Sequence, residues 1–185
     1  MPEARLISVN VGKPREVGFR DGAVLTGIFK TLVAGRVAVH KLNLAGDRQA
    51  DLTVHGGADK AVYCYPAEHY PHWAEELPGT ELPYGMFGEN LTTQVLDEAS
   101  VYIGDRFRIG SAVPRVTQLR TPCYKLGIKF GRSDMVEKFR SSGRSGFYFS
   151  VIEEGELGAG DGIERVAIGP GAGERTRGFA ARRRC

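Results

Sequence analysis

Apolar residues recur at every second position through most of this chain, and that period fits a strand with one buried face. "RLISVNVG" sets Leu6, Ser8 and Asn10 against Ile7, Val9 and Val11. "GRVAVHKLNL" sets Val37, Val39 and Lys41 against Ala38, His40 and Leu42. In "SVYIGDRFRIG", Val101, Ile103, Phe107 and Ile109 share one parity across a turn or bulge at Gly104-Asp105. "VTQLR", "GFYFSVIEEG" and "GIERVAIG" read as further short strands, and 25 glycines punctuate the runs. Many short strands at close intervals predict a mainly β fold, a barrel or a compact sandwich.

Helical segments are few. "YPAEHYPHWAEEL" places Tyr70, Trp73, Ala74 and Leu77 on one face. Pro66 suits its first turn, and Pro71 means that the helix either kinks there or begins there. "SDMVEKFRSSG" has a capping serine or aspartate, Glu137 three residues beyond Asp134, and Gly143 as a stop. A length of 185 residues is one domain with room for a real core. We expect residues 1–168 to form that domain and the Gly/Arg-rich tail 169–185 to be solvated and disordered.

The same tail explains the charge. It holds five arginines and one glutamate of the chain's 25 basic and 22 acidic side chains, so the remainder is close to neutral. That argues against a nucleic-acid-binding body. No apolar run is long enough for a membrane helix, and the N-terminus lacks a secretory signal, so a cytoplasmic location is expected. Cys64, Cys123 and Cys185 are an odd count without CxxC spacing, which disfavours a disulfide framework or structural zinc. Cys64 sits in the β-prone "KAVYCYP" and reads as a core residue; Cys185 ends the tail.

Three stretches could carry chemistry. In "DLTVHGGADKAVYCYPAEHY", His55 precedes Gly56-Gly57, which let a backbone approach a ligand, and Asp59-Lys60 follow. A capped turn between strands is the competing reading of that segment. His69 and His72, with Cys64 or Glu68, form an incomplete zinc set for which packing is the preferred reading. "YGMFGENLTT" offers Glu89, Asn90, Thr92 and Thr93 in a compact loop, either a polar turn or a donor wall for a heterocycle or phosphate. Neither a P-loop nor a dinucleotide-binding GxGxxG before a helix is present.

The third is "QLRTPCYKLG". Arg120 and Lys125 flank Cys123 and favour its thiolate, the form that attacks or ligates. Pro122 fixes the backbone beside it. The histidines that could serve as its base are distant in sequence and carry no local signature, which counts against a nucleophile. "SSGRSGF" adds Arg144, suited to an anionic cofactor.

Taken in order, "GDRQADLTVHGGADKAVYCYPAEHYPHW", "FGENLTT" with "VYIGDRFRIG", "TPCYKLG" and "GRSGFYFSVIEEG" resemble the MOSC family, named for the C-terminal domain of molybdenum-cofactor sulfurases. The stand-alone, YiiM-like bacterial branch fits best. The resemblance implies a MOSC-type β-barrel, similar to the barrel of pyruvate kinase, with a few peripheral helices. It implies a bound molybdenum cofactor (Mo-molybdopterin), with Cys123 as the protein's ligand to Mo. The family's cofactor-binding loops fall on His55, Lys60, Glu89, Asn90, Thr92 and Arg120.

The implied activity is reduction of N-hydroxylated bases or related N-oxygenated compounds, a detoxification, by oxygen-atom transfer at the Cys-ligated Mo. Electrons would come from a separate reductase, because the sequence has no flavin, haem or iron–sulfur motif. Relatives often continue past the barrel with a helical segment, where this sequence enters its Gly/Arg tail after Ile168. The pyridoxal-phosphate domain of full sulfurases is absent, so desulfuration by this chain alone is not expected. A sulfur or cofactor carrier using Cys123 without turnover, and a non-catalytic barrel with a structural Cys123, are the competing readings.

Overall fold

The computed structural model describes residues 3–53 and 55–170. Among them are twelve strands: β1 (Arg5–Val11), β2 (Arg15–Phe19), β3 (Gly22–Thr26), β4 (Thr31–Leu32), β5 (Val37–Val39), β6 (Val62–Pro66), β7 (Leu91–Gln94), β8 (Arg106–Ile109), β9 (Val113–Leu119), β10 (Phe147–Glu153), β11 (Gly155–Leu157) and β12 (Ile163–Ala167). Three short helices join them: α1 (Tyr70–Glu76), α2 (Tyr124–Phe130) and α3 (Met135–Ser142). No helix among the described residues is long and apolar enough to cross a membrane.

Eight strands form one mixed sheet in the order β12-β8-β9-β10-β6-β7-β1-β4. The ladder is open in that order, but its ends curl together. Short β4 covers only the C-terminal end of β1, pairing Asn10 with Leu32. The N-terminal half of β1 is left to meet the segment before β12. There the Leu6 N–H donates to the Asp161 carbonyl at 2.9 Å, and the Ile163 N–H donates to the Ala4 carbonyl at 2.8 Å. The result is barrel-like, an open sheet whose exposed edge is closed by a backbone seam.

Strict alternation fails in β1 for a local reason. Its pairing with β7 shifts register between Leu6 and Ser8, as a bulge does. The shift puts Leu6 and Val9 in the barrel core while Ser8 and Asn10, also buried, face the other way. Their polar groups need partners there: the Ser8 hydroxyl donates to Asn10 Oδ1 at 2.7 Å, and Asn10 Nδ2 donates to Thr92 Oγ1 at 3.2 Å.

β6 has no solvent face at all, with all five residues buried. Val62 and Cys64 enter the barrel core with Phe147, Phe149, Phe107 and Leu91. Tyr63 and Tyr65 enter a second, aromatic core built with Tyr70, Trp73, Phe87 and Phe139. That layer is where the helices dock: Trp73 of α1 stacks on Phe139 of α3 with ring centroids 5.8 Å apart. Each such ring buried contributes roughly 1.5–3 kcal/mol, so the helices are held by aromatic burial more than by caps.

The helix expectations hold in outline. Pro71 falls at the start of α1, so it opens the helix and does not kink it, and Pro66 ends β6. Ala74 is exposed, while Tyr70, Trp73 and Leu77 are buried. Asp134 precedes α3 without a capping bond, and Glu137 binds Arg140 and Ser141 in place of the backbone. Gly143 ends α3 in the left-handed region, as a stop glycine should. The run from Val101 is shorter than its parity suggested: Ile103 is exposed in a turn, and only Arg106–Ile109 is strand. Gly169 still belongs to the folded body, since its N–H donates to the buried Asp105 carboxylate at 2.8 Å. The remainder of the tail, from residue 171, and Cys185 lie outside the described residues.

Candidate functional site

β9 ends at Leu119, and the next residue anchors the turn that follows. The Arg120 N–H donates to the Gly146 carbonyl at 3.2 Å. Its buried guanidinium lies over the Tyr63 ring, 4.4 Å from the centroid, and donates to the Phe87 carbonyl. Buried Pro122 then turns the chain, and Cys123 becomes the N-cap of α2 with extended backbone, φ −121° and ψ 173°. The α2 helix was not read from the sequence, yet it places the thiol at the start of a rigid element.

The thiol has a neighbour that sequence distance concealed. His55 Nε2 lies 3.6 Å from Cys123 Sγ, brought from 68 residues upstream. The histidine that the sequence reading lacked is therefore present in space. Partial burial lowers the His55 pKa, and the cations of Lys125, Lys60 and Arg120 lower it further. A neutral imidazole at this distance can take a proton from the thiol or donate one to a thiolate. We expect the His55 ring to titrate below the ordinary histidine range in an NMR titration, and Lys125→Met to move it upward. A normal, unmoved value would show that the lysine does not act on this ring.

Cys123 and His55 open onto a cleft of about 650 Å³ on the face of β6 and β10 away from the barrel core. Tyr63 and Tyr148, paired across those strands, form its floor with rings 5.2 Å apart. Lys60, Asn90 and Arg120 also line it, so five of the seven residues that the resemblance assigns to the cofactor meet here. Asn90 is committed to framing: its side chain accepts from the Tyr63 N–H at 3.0 Å and donates to the Asn10 carbonyl at 3.2 Å.

Glu89 and Thr92 are not on the cleft wall. Both are wholly buried beneath it, where the Glu89 carboxylate accepts from the Gly85 and Phe87 N–H groups, the Tyr70 hydroxyl and the Thr92 hydroxyl. Arg144 is not among the lining residues either; its guanidinium donates to the Ser142 carbonyl at 3.3 Å. His69 pairs with Glu98 at 2.8 Å, and Cys64 meets Thr93 inside the barrel. No group of three or more metal-ligating side chains occurs among the described residues.

The sequence reading missed part of the wall. Thr26 reaches it from the end of β3, Ile28 and Lys30 from the segment that follows the β2–β3 hairpin, and Gln49 from the loop before His55. Lys125 had been noted only as a neighbour of Cys123; it is buried and lines the cleft. None of these carries a local motif, and only the fold brings them together.

Comparison with known proteins gives concordant matches. A family model described as the MOSC domain matches residues 51–164. YflK of Bacillus subtilis, an uncharacterised protein, is 46% identical over 164 residues, covering 89% of this chain and 74% of that one. The crystal structure of YiiM from Geobacillus stearothermophilus superposes with a TM-score of 0.72 at 37% identity, covering 89% of this chain and 75% of that one. A protein of Gibberella moniliformis named a reductase is 32% identical over 161 residues, of which this chain spans 28%.

Proposed function

The chain belongs to the MOSC domain family, and from that premise we propose that its cleft binds the molybdenum cofactor and reduces N-hydroxylated bases or related N-oxygenated small molecules. The family association supports the cofactor, and the name of the fungal relative is of the same reaction class. The observation that carries the reading is the donor set. A bare metal ion needs three or more protein ligands, and the described residues gather no such group. One thiol ringed by Lys60, Lys125, Arg120 and Lys30 suits a metal that arrives with its own sulfur ligands on an anionic carrier.

Cys123 would be the protein's ligand to the metal, and Arg120, Lys60 and Lys125 would hold the anionic parts of the group. When bound, the cofactor supplies the two-electron chemistry that breaks an N–O bond. The protein's own residues do the rest. The Tyr63 and Tyr148 rings give the floor a flat apolar surface against which a planar base can lie. Neutral His55 holds the Cys123 sulfur in one orientation. A separate reductase supplies electrons, and the free thiols Cys64 and Cys123 suit a reducing compartment such as the cytoplasm.

A second reading, a sulfur or cofactor carrier without turnover, draws on the same His55 contact, since an imidazole beside a thiol also activates it as a nucleophile. Protein made in a molybdenum-replete host separates these readings. We expect Mo and fluorescent oxidised pterin in near-stoichiometric amounts, and reduction of an N-hydroxylated purine when an electron donor is supplied. Cofactor without turnover favours the carrier; neither Mo nor pterin removes both cofactor readings.

A further inference from the structure

Lys30 lines the cleft, is only 9% exposed, and has its Nζ 2.5 Å from Asp47 Oδ1. Asp47 itself is buried at 2% exposure, and the same Oδ1 also accepts the Gly12 N–H at 2.9 Å. Its other oxygen, Oδ2, is buried with no hydrogen-bond partner among the described residues. A buried ion pair with one acceptor unused is a costly arrangement for stability alone. It is a useful one for moving a proton, because the second oxygen can take a further ammonium hydrogen or a water as the lysine gives one up.

Resting on the reading above, we propose that Lys30, positioned and resupplied by Asp47, is the general acid that protonates the oxygen leaving the N–O bond. The balance is R–NHOH plus two electrons and two protons giving R–NH2 and water. The N–O bond breaks, one N–H and one new O–H bond form, and both electrons come from the separate reductase by way of the cofactor. Lys30 Nζ provides the proton to the departing oxygen and regains one from solvent along Asp47, and the proton that the substrate nitrogen takes up comes from solvent.

The other cleft groups are less suited to this task. Arg120 does not release a proton at ordinary pH, and His55 is held neutral against the thiol. Lys30 is facing Asp47, Arg120 and Glu89, with Lys129 beyond. Burial lowers its pKa most, Arg120 lowers it further, and Asp47 and Glu89 raise it. The acid must be protonated to work, so turnover is full at lower pH and falls as pH rises through the Lys30 pKa. Without the Asp47 charge, that fall comes at lower pH.

The test compares wild type with Lys30→Arg and Asp47→Asn, each loaded with cofactor, across pH. In Lys30→Arg the cation stays, so Mo and pterin content should hold while kcat drops about 100-fold or more and the alkaline limb disappears. In Asp47→Asn the limb should move to lower pH with KM little changed. An independent readout is the Nζ titration of Lys30, by lysine-selective NMR on cofactor-free protein: below the ordinary lysine range in wild type, lower still in Asp47→Asn. A wild-type kcat in Lys30→Arg, an unmoved limb in Asp47→Asn, or a Lys30 that titrates like a surface lysine overturns the proposal while leaving the functional reading intact. Cofactor-loaded wild type that reduces no N–O bond overturns that reading, and this proposal with it.

Discussion

Cys123→Ser is expected to reduce N–O bond reduction by more than about 100-fold, a loss at least as large as removal of a group that merely supports a metal ligand. Serine keeps the shape of the side chain but not its chemistry. Its hydroxyl stays protonated at neutral pH and is a poor ligand for a soft metal centre, where the thiolate is a good one. Because Cys123 is only partly buried and makes its main contact with His55, the fold should survive the change. The control is Cys64→Ser. That thiol is wholly buried, burial pushes its pKa far up, and its contact is Thr93 Oγ1 at 3.4 Å, so a hydroxyl can replace it without affecting turnover. Metal content, circular dichroism and turnover measured on both variants decide the matter. Full activity in Cys123→Ser would remove Cys123 from the site altogether.

What the sequence made legible follows from how locally each signal is encoded. β8 was readable because a period of two survives in a strand with one buried face, Phe107 and Ile109 turned inward and Arg106 and Arg108 exposed, whereas β1 kept the apolar pattern in spite of its bulge. β6 could be read only as β-prone, since burial on both faces erases the alternation. α2 was missed although it is as long as α1: "YKLGIKF" carries an internal glycine, Gly127, and nothing local marks Cys123 as its cap, where α1 has Pro71 at its start. In the site, Cys123, Arg120 and His55 stood out for their glycine and proline neighbours. Lys30 and Gln49 sit in segments whose backbone does nothing unusual, and they reach the cleft only through non-local packing. The Cys123–His55 contact spans 68 residues and is invisible to any short pattern.

Glu89 is the residue whose standing the structure changes most, and its replacement carries the largest expected cost in stability. The loop from Tyr84 to Thr93 has a composition that suits ligand binding, but the carboxylate faces inward, wholly buried. It accepts the Gly85 N–H at 2.8 Å, the Phe87 N–H at 3.1 Å, the Thr92 hydroxyl at 3.1 Å and the Tyr70 hydroxyl. Gly85 and Gly88, both at positive φ, let that loop wrap the carboxylate closely. Glu89→Ala would leave those buried donors unpaired at about 1–3 kcal/mol each, so a loss of at least about 3 kcal/mol of unfolding free energy is expected in urea titrations. Burial is the main cause that raises the Glu89 pKa, and the hydrogen bonds from Tyr70 and Gly85 oppose it. A raised carboxylate pKa ties stability to the protonated form: that contribution is full below the ordinary glutamate range and is lost as pH rises through the raised value. Glu89→Gln, which cannot ionise, should therefore compare best with wild type at the upper end of that window. The protein that remains folded should still carry Mo and pterin in the wild-type ratio, because no Glu89 atom reaches the cleft. Unchanged unfolding with lost cofactor would reverse the assignment, making Glu89 a direct contact of the bound group and not the tie beneath it.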